Sequence, residues 1–228
     1  MLVFPYKYLL QNAWGFTTIL NQMVGFGNAI HYCLEIAVNL IKSDGLDPIS
    51  AIATAIDESF HLPYIRGAEY ENARISARRS LIAFARRYGG DLYNVWKVEY
   101  EINFPLENSL IRGITDVILK NNDEYEIRDY KTSTSVNPLE EIALQMQLYA
   151  IVSSNLGFNV TKGSIAYMQN ENNRPTVLEV DVSIQALNQT LDTIKSIIQN
   201  IKDKNFTATP ETGFCITCDF SRICRWNR

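Results

Sequence analysis

Two short runs decide the fold, Gly113-Ile114-Thr115-Asp116-Val117-Ile118 and Glu126-Ile127-Arg128-Asp129-Tyr130-Lys131-Thr132. Both are rich in Ile, Val and Tyr and they flank the polar cluster Asn121-Asn122-Asp123, a pattern that predicts a β-hairpin. A turn centred near residues 122 and 123 puts Asp116 almost opposite Asp129. Because side chains alternate along a strand, Asp129 and Lys131 share one face. Facing carboxylates destabilise a hairpin, so their convergence needs an explanation.

A divalent cation is the chemical explanation for the two aspartates. Mg²⁺ binds oxygen ligands, usually one or two carboxylates together with substrate phosphate and water. The competing interpretation is a surface hairpin whose Asp–Lys pair is solvated. Taken alone, a D…D-x-K pattern favours the surface hairpin, and the rest of the chain reverses that preference.

The amino-acid composition is that of a folded protein with one substantial core. The chain has 228 residues, 11% aromatic residues and a formal net charge of −4. No run approaches the roughly 18 apolar residues of a membrane span, and the N-terminus lacks the features of a signal peptide. We therefore expect a cytoplasmic protein without membrane contact, or an excised domain. The negative charge argues against a protein that coats DNA non-specifically, but it leaves room for a local basic track.

Periodicity predicts helices first and strands afterwards. Helical spacing indicates helices over about 21–42, 48–60 and 67–88, the last of them ending at Gly89-Gly90. The period then changes to two, and it predicts strands over 95–103, 110–120, 125–131, 160–169 and 176–182, with further helices over 138–155 and 184–203. This order predicts an α/β fold with a mixed sheet flanked by helices. It consists of a helical N-terminal part (1–92), a core (93–205) and a cysteine-rich tail (206–228) that together form one compact domain.

Four other features could carry chemistry. Gln145 and Tyr149 share a helical face because they are four residues apart, although an exposed polar stripe would look the same. His31, one of only two histidines, lies on the first long helix, where a structural role is the competing interpretation. A basic track on the third helix could bind phosphate irrespective of sequence, or could be a solvated face; it comprises Arg74, Arg78, Arg79 and Arg86. Near the end, Cys215, Cys218 and Cys224 suggest a metal rather than a disulfide.

Together these residues resemble the RecB-type branch of the PD-(D/E)xK nucleases. The shared motifs are G-x-x-x-H, G-x-x-D, D-x-K and Q-x-x-x-Y, supplied in that order by Gly27/His31, Gly113/Asp116, Asp129/Lys131 and Gln145/Tyr149. Glu99 stands where such families often have a glutamate. The pattern Cys215-x2-Cys218-x5-Cys224 resembles the iron–sulfur knot of AddB-like and CRISPR-associated members. The resemblance covers essentially the whole chain.

The resemblance implies a restriction-endonuclease-like core and a set of roles. His31, Asp116, Asp129 and the carbonyl of Tyr130 would ligate Mg²⁺ or Mn²⁺, and a protonated Lys131 would position the attacking water or neutralise developing charge. Gln145 and Tyr149 would hold the side chains of the site or the nucleic-acid backbone. The expected substrate is DNA, in particular single-stranded ends. A helicase in the same chain or complex would supply these ends during DNA repair and recombination, with exonuclease action favoured over endonuclease action.

The cysteine pattern departs from the family at one position. Three cysteines would hold a [4Fe–4S] cluster together with a fourth that normally precedes a proline far upstream, but here Phe4 precedes Pro5. Thiolates also bind zinc, which we favour less. Three alternatives to a helicase-associated DNA nuclease stay open. They are a catalytically inactive DNA-binding or scaffold module of a helicase–nuclease, a stand-alone exonuclease of CRISPR adaptation, and an enzyme directed at RNA.

Overall fold

A five-stranded sheet organises the larger part of the computed structural model, which describes residues 5–17, 25–132, 139–169, 174–210, 215 and 218–226. The strands are β1 (Val95–Leu106), β2 (Ser109–Asn121), β3 (Glu124–Lys131), β4 (Val160–Tyr167) and β5 (Thr176–Val180). They are ordered β1-β2-β3-β4-β5. The β3–β4 pair is parallel and the other neighbours are antiparallel. This is the mixed sheet that the sequence predicted.

The hairpin turn lies where the polar cluster indicated. Asn121 at the end of β2 pairs with Glu124 at the start of β3, so Asn122 and Asp123 form the connection. Asn122 has φ 56°, in the left-handed region that asparagine tolerates better than most residues. The local sequence therefore fixes the register of the two strands that carry the aspartates.

The described residues also contain six α-helices. They are α1 (Pro5–Tyr8), which continues into a π-helical turn (Leu9–Ala13), α2 (Phe26–Asp44), α3 (Pro48–Ser59), α4 (Gly67–Leu92), α5 (Leu139–Asn155) and α6 (Ile184–Lys202). The start of α3 follows from its sequence. Asp47 caps it by accepting hydrogen bonds from the amides of Ile49 at 3.0 Å and Ser50 at 3.2 Å, and Pro48 occupies the first turn, where it has no amide hydrogen to leave unbonded. No helix in the described ranges is both long and apolar enough to cross a membrane.

One predicted helix end is wrong. Gly89-Gly90 was expected to end α4, but the helix continues through both glycines to Leu92. At position 89 an added Cβ would lie 3.1 Å from Cβ of Pro48, so the glycine serves close packing against the start of α3. Tertiary packing therefore outweighs the stop signal that the two glycines give locally.

The two faces of the sheet carry separate cores. On one face α2, α3 and α4 pack around residues such as Val117 and Ala166. On the other face α5 packs against their sequence neighbours Ile118 and Ile165. Adjacent residues thus enter opposite cores, as strand alternation requires. Helices on both faces agree with the restriction-endonuclease-like core expected from the sequence.

A buried charged network ties β3 to its neighbours. The side chain of Arg128 is 6% exposed. Its Nη1 lies 2.6 Å from Oδ2 of Asp91, its Nη2 lies 2.7 Å from Oε1 of Glu126, and its Nε donates to Oγ of Ser164 at 2.9 Å. The guanidinium of Arg128 therefore joins β3, β4 and the end of α4.

Two compact units can be distinguished, Gln22–Thr190 and a smaller one made of Met1–Asn21 with Leu191–Arg228. Within the smaller unit, Nζ of Lys7 lies 3.6 Å from Oδ2 of Asp219. The rings of Tyr8 and Phe206 stack there with centroids 6.1 Å apart. The two ends of the chain therefore meet in this unit. The predicted division into 1–92, 93–205 and 206–228 stays a prediction.

Candidate metal centre

The hairpin brings the two predicted aspartates face to face. The β2–β3 ladder ends with the pair Val117 and Arg128, and continuing its register by one residue sets Asp116 opposite Asp129. Asp116 is oriented by the backbone of β3, since its Oδ2 accepts a hydrogen bond from the amide of Tyr130 at 2.6 Å. The opposition of the carboxylates is thus built into the strand pairing.

His31 of α2 and Glu99 of β1 complete a cluster around Asp116. Nδ1 of His31 lies 3.5 Å from Oδ1 of Asp116 and 3.8 Å from Oε1 of Glu99. One ligand atom from each of the three residues lies within 4.8 Å of the other two. Within the described ranges, no other group of three or more His, Cys, Asp or Glu side chains converges in this way. One imidazole and two carboxylates form a donor set suited to a divalent cation.

The second ring nitrogen of His31 is held by the backbone. Nε2 lies 3.0 Å from the carbonyl oxygen of Tyr130. Donation from Nε2 leaves the lone pair of Nδ1 directed at the carboxylates, which is the arrangement that orients metal-binding histidines. Burial alone would lower the pKa of His31, but the hydrogen bond and charge of Asp116, the charge of Glu99 and the Tyr130 carbonyl raise it. Without a cation, the site therefore favours an imidazolium.

Glu99 reaches the cluster through an unusual backbone conformation. Its φ is 44°, in a region that a residue with a side chain adopts at a cost of about 1–2 kcal/mol. In the β1–β2 register it falls opposite Asp116, between the pairs that Val98 and Tyr100 make. Burial, and then the charge of Asp116, raises the pKa of Glu99 although His31 opposes this. From the sequence, Glu99 was noted because it stands where related families often have a glutamate, but no role was predicted for it.

Asp129 is buried beside the cluster and pairs with Lys131. Its buried Oδ2 lies 2.7 Å from Nζ of Lys131, so the Lys131 ammonium is its partner. We interpret the contact as an ion pair. Burial first and the charge of Asp116 second raise the pKa of Asp129, while Lys131 and His31 counteract them. A buried carboxylate close to the charges of Asp116 and His31 suits a divalent cation.

The Gln145/Tyr149 motif of α5 packs against the Gly113/Asp116 motif of β2. Nε2 of Gln145 donates to the hydroxyl of Tyr149 at 2.8 Å. A Cβ added to Gly113 would lie 2.6 Å from Cε1 of Tyr149, so glycine at this position makes room for the ring. Burial, together with the charges of Asp116 and Asp129, raises the pKa of Tyr149, although the hydrogen bond from Gln145 opposes this. Both predicted residues of α5 therefore lie close to the hairpin.

The predicted basic track divides into two parts. Arg74 and Arg78 both contact Asp57, with Nη1–Oδ1 distances of 3.1 and 2.5 Å, so an acidic residue neutralises part of their charge. Arg79 and Arg86 are exposed on α4. Their seven-residue spacing places them on one helical face. The second pair is therefore better placed to bind phosphate.

The cysteines fall into two classes. Cys33 is fully buried and contacts the carbonyl of Ala55, and burial raises its pKa to about 11, as expected of a core thiol. The three C-terminal cysteines are free and half-buried; they are Cys215, Cys218 and Cys224. Their sulfur atoms do not all lie within 4.8 Å of one another. Thiolates around one zinc would be about 4 Å apart, given Zn–S bonds of about 2.3 Å. Phe4, where a fourth cysteine was expected, lies outside the described residues.

Comparisons with known proteins extend this description. The family model described as the PD-(D/E)XK nuclease superfamily matches residues 4–225. No curated protein matches the chain. A candidate exonuclease from Eubacterium rectale is similar at a TM-score of 0.58 and 12% identity, over 98% of this chain and 81% of that one. The protein SSO0001 aligns at a TM-score of 0.45 and 17% identity, over 98% and 95% of the two chains. At such identities the likeness shows the fold alone, and the lower-scoring alignment carries no argument.

Proposed function

Since the chain belongs to the PD-(D/E)XK nuclease superfamily, we propose that it is a metal-dependent nuclease that hydrolyses phosphodiester bonds in DNA. The observation that carries the proposal is the convergence of His31, Glu99 and Asp116 beside the buried pair of Asp129 and Lys131. The buried Asp129–Lys131 pair, at 2.7 Å, supports an active enzyme over a member of the fold that has lost activity. The arrangement is suited to holding a cation against a phosphate.

The proposed cation is Mg²⁺ or Mn²⁺. Nδ1 of His31 and the carboxylates of Asp116 and Asp129 would hold it, and Glu99 adds a carboxylate that the sequence had left without a role. The Tyr130 carbonyl, a further predicted ligand, accepts the His31 hydrogen bond and keeps a second lone pair. When bound, the cation polarises the scissile phosphate and lowers the pKa of a bound water.

Lys131 has an electrostatic role in this scheme. Its ammonium is held at the site by Asp129, at 2.7 Å. A fixed positive charge stabilises the negative charge that develops on the phosphate oxygens during attack. Gln145 and Tyr149, joined by their hydrogen bond, would contact the flanking phosphate or orient the water.

We propose that the substrate is the end of single-stranded DNA and that the protein acts as an exonuclease. A helicase would deliver these ends in the cytoplasm during repair or recombination. The RecB-type order of the motifs supports this proposal. The exposed pair Arg79 and Arg86 would bind backbone phosphates without reading sequence. The sequence contains no motif that resembles a base-reading module, so we propose that the protein recognises the backbone.

For the C-terminal cysteines we propose a [4Fe–4S] cluster with a structural role, rather than zinc. The spacing of Cys215, Cys218 and Cys224 supports it, and the fourth ligand is unidentified. Protein purified without oxygen should contain iron and show the visible absorbance of such a cluster. Zinc alone, or no metal, in that preparation would contradict the cluster while leaving the nuclease proposal intact.

Cleavage assays with matched variants test the nuclease proposal. Purified protein with Mn²⁺ should degrade labelled single-stranded DNA, and Asp116→Ala and Lys131→Ala should each abolish degradation while the fold survives. Asp123→Ala, which removes an exposed aspartate of the turn, is the control and should retain activity. Resistance of circular DNA would establish exonuclease action, and comparison with RNA of the same sequence would test the choice of nucleic acid.

Two results would refute the proposal. Asp116→Ala protein with full metal-dependent activity would show that the hairpin is not the site. Parent protein that binds DNA but never cuts it, with either cation, would instead indicate a DNA-binding or scaffold module.

A further inference from the structure

A buried hydroxyl without a hydrogen-bond partner lies near the buried carboxylate of Asp129. The hydroxyl is that of Tyr167, whereas Oδ2 of Asp129 is paired with the Lys131 ammonium at 2.7 Å. Tyr167 is only 1% exposed and Asp129 only 4% exposed. A buried polar atom without a partner costs free energy, so an unmatched donor close to a buried carboxylate needs a reason.

Strand pairing places these two groups on the same face of the sheet. β3 and β4 are parallel, with Asp129 opposite Ile165 and Lys131 opposite Tyr167. The amide of Met168 donates to the carbonyl of Lys131 at 2.9 Å, which continues the ladder past Tyr167. Paired residues of neighbouring strands point to the same side, so the Tyr167 ring stands beside the Lys131 side chain and diagonally from Asp129.

Tyr167 is held in place and remains a donor. Its ring belongs to the core under α5, together with Ile127 and Met146. The pKa of Tyr167 is raised, by burial first and then by the charge of Asp129, so the hydroxyl keeps its proton at neutral pH. The ring is fixed by packing while its hydroxyl has no other use in the described structure.

A substrate phosphate would compete with Asp129 for the ammonium of Lys131. In this structure its ammonium lies 2.7 Å from Oδ2 of Asp129. When the ammonium turns toward a substrate phosphate, Oδ2 loses its counter-charge in a buried position. A buried carboxylate oxygen then needs another donor, because leaving it unpaired is costly.

We propose that Tyr167 is a positioning residue whose hydroxyl donates a hydrogen bond to Oδ2 of Asp129 when the site holds its divalent cation, which frees Lys131 to face the phosphate. The inference rests on the proposed function for the divalent cation and for the role of Lys131 in cleavage. The contact with Asp129 also bears on cation binding, which can be measured without DNA. Tyr167 touches neither cation nor substrate in this scheme and acts through Asp129.

The test is Tyr167→Phe, which keeps the packed ring and removes only the hydroxyl. Because hydrogen bonds to charged groups are among the stronger ones, we expect the Kd for Mn²⁺, measured by calorimetry, to rise about tenfold. The kcat should fall by a similar factor with KM for DNA unchanged. Tm without metal should be unchanged or higher, since the hydroxyl has no partner in that state. Ser153→Ala, which removes another buried unpartnered hydroxyl, is the control and should change neither Kd nor kcat.

Each outcome decides the inference. A Mn²⁺ affinity of Tyr167→Phe within twofold of the parent overturns it, as does a lowered Tm with unchanged Kd and kcat, which would show that the hydroxyl serves the core alone. If the parent binds Mn²⁺ but cuts no DNA, the nuclease proposal fails while the Mn²⁺ affinity of the variant still decides the role of Tyr167. If the parent binds no Mn²⁺, both fail.

Discussion

Gly113 on β2 lies beneath the ring of Tyr149. Gly113→Ala adds one methyl group there and tests how closely α5 packs against the sheet. A Cβ at this position would lie 2.6 Å from Cε1 and 3.4 Å from Cζ and the hydroxyl oxygen of Tyr149. Carbon atoms pack best at about 3.5–4.0 Å, so the ring, only 8% exposed, has to move. Gly113 is not in the left-handed region, so an alanine backbone fits and the cost arises from the contact alone.

The expected cost of Gly113→Ala is that of overpacking a core, about 1–3 kcal/mol in the free energy of unfolding. Movement of the ring also breaks the 2.8 Å hydrogen bond from Gln145 to the Tyr149 hydroxyl. Unfolding in urea, followed by far-ultraviolet circular dichroism, measures the first effect. Cleavage of DNA by the folded variant measures the second, and we expect it to be reduced.

Two comparisons decide whether the contact is responsible. Gly90→Ala on α4 adds a methyl group into open space, so it should stabilise the protein by about 0.5–1 kcal/mol through helix propensity. In a Tyr149→Ala background the obstacle is gone, and Gly113→Ala should then cost nearly nothing. If Gly113→Ala costs the same in both backgrounds, or less than about 0.5 kcal/mol in the parent, the reasoning about this contact is wrong.

Three further predictions follow from charge. Glu99→Gln should raise Tm without metal at neutral pH, because the raised pKa of Glu99 means that its ionised form is disfavoured in the fold. The gain in Tm should shrink as pH falls through that pKa. The same variant should bind Mn²⁺ more weakly, because it loses a carboxylate. Arg128→Ala should cost about 3–5 kcal/mol in urea unfolding, since it leaves Glu126 buried without its partner. Arg79→Ala and Arg86→Ala should each weaken binding of single-stranded DNA and reduce its salt dependence by about 0.7 in log–log slope, measured by fluorescence anisotropy.

The hairpin was predictable because its signals are local. A polar turn between two β-branched runs sets the register, and counting outward from Asn122 places Asp116 against Asp129. Helical spacing likewise identified Gln145 and Tyr149 as one pair, which the structure joins by a hydrogen bond. Features that depend on neighbours within a few residues follow directly from propensity and periodicity.

The features that the sequence missed depend on distant contacts. Gly89 packs against Pro48 from another helix, so its local stop signal failed. Glu99 reaches the site because a single residue takes φ 44° within a strand, which no periodicity records. No role was predicted for Arg128, whose partners come from α4 and β4 as well as from β3. Such contacts follow from tertiary packing that sequence spacing does not contain.

The direction of three pKa shifts agrees with cation binding at this site. Burial disfavours the charged form of any group, so it should raise the pKa of Glu99 and Asp129 and lower that of His31. The pKa of His31 is nevertheless raised, because Asp116 and Glu99 outweigh burial. Two acids and one base in the same place thus all bind protons more readily than usual. Such a site is short of positive charge even with Lys131 present, and a divalent cation supplies what protons would otherwise supply.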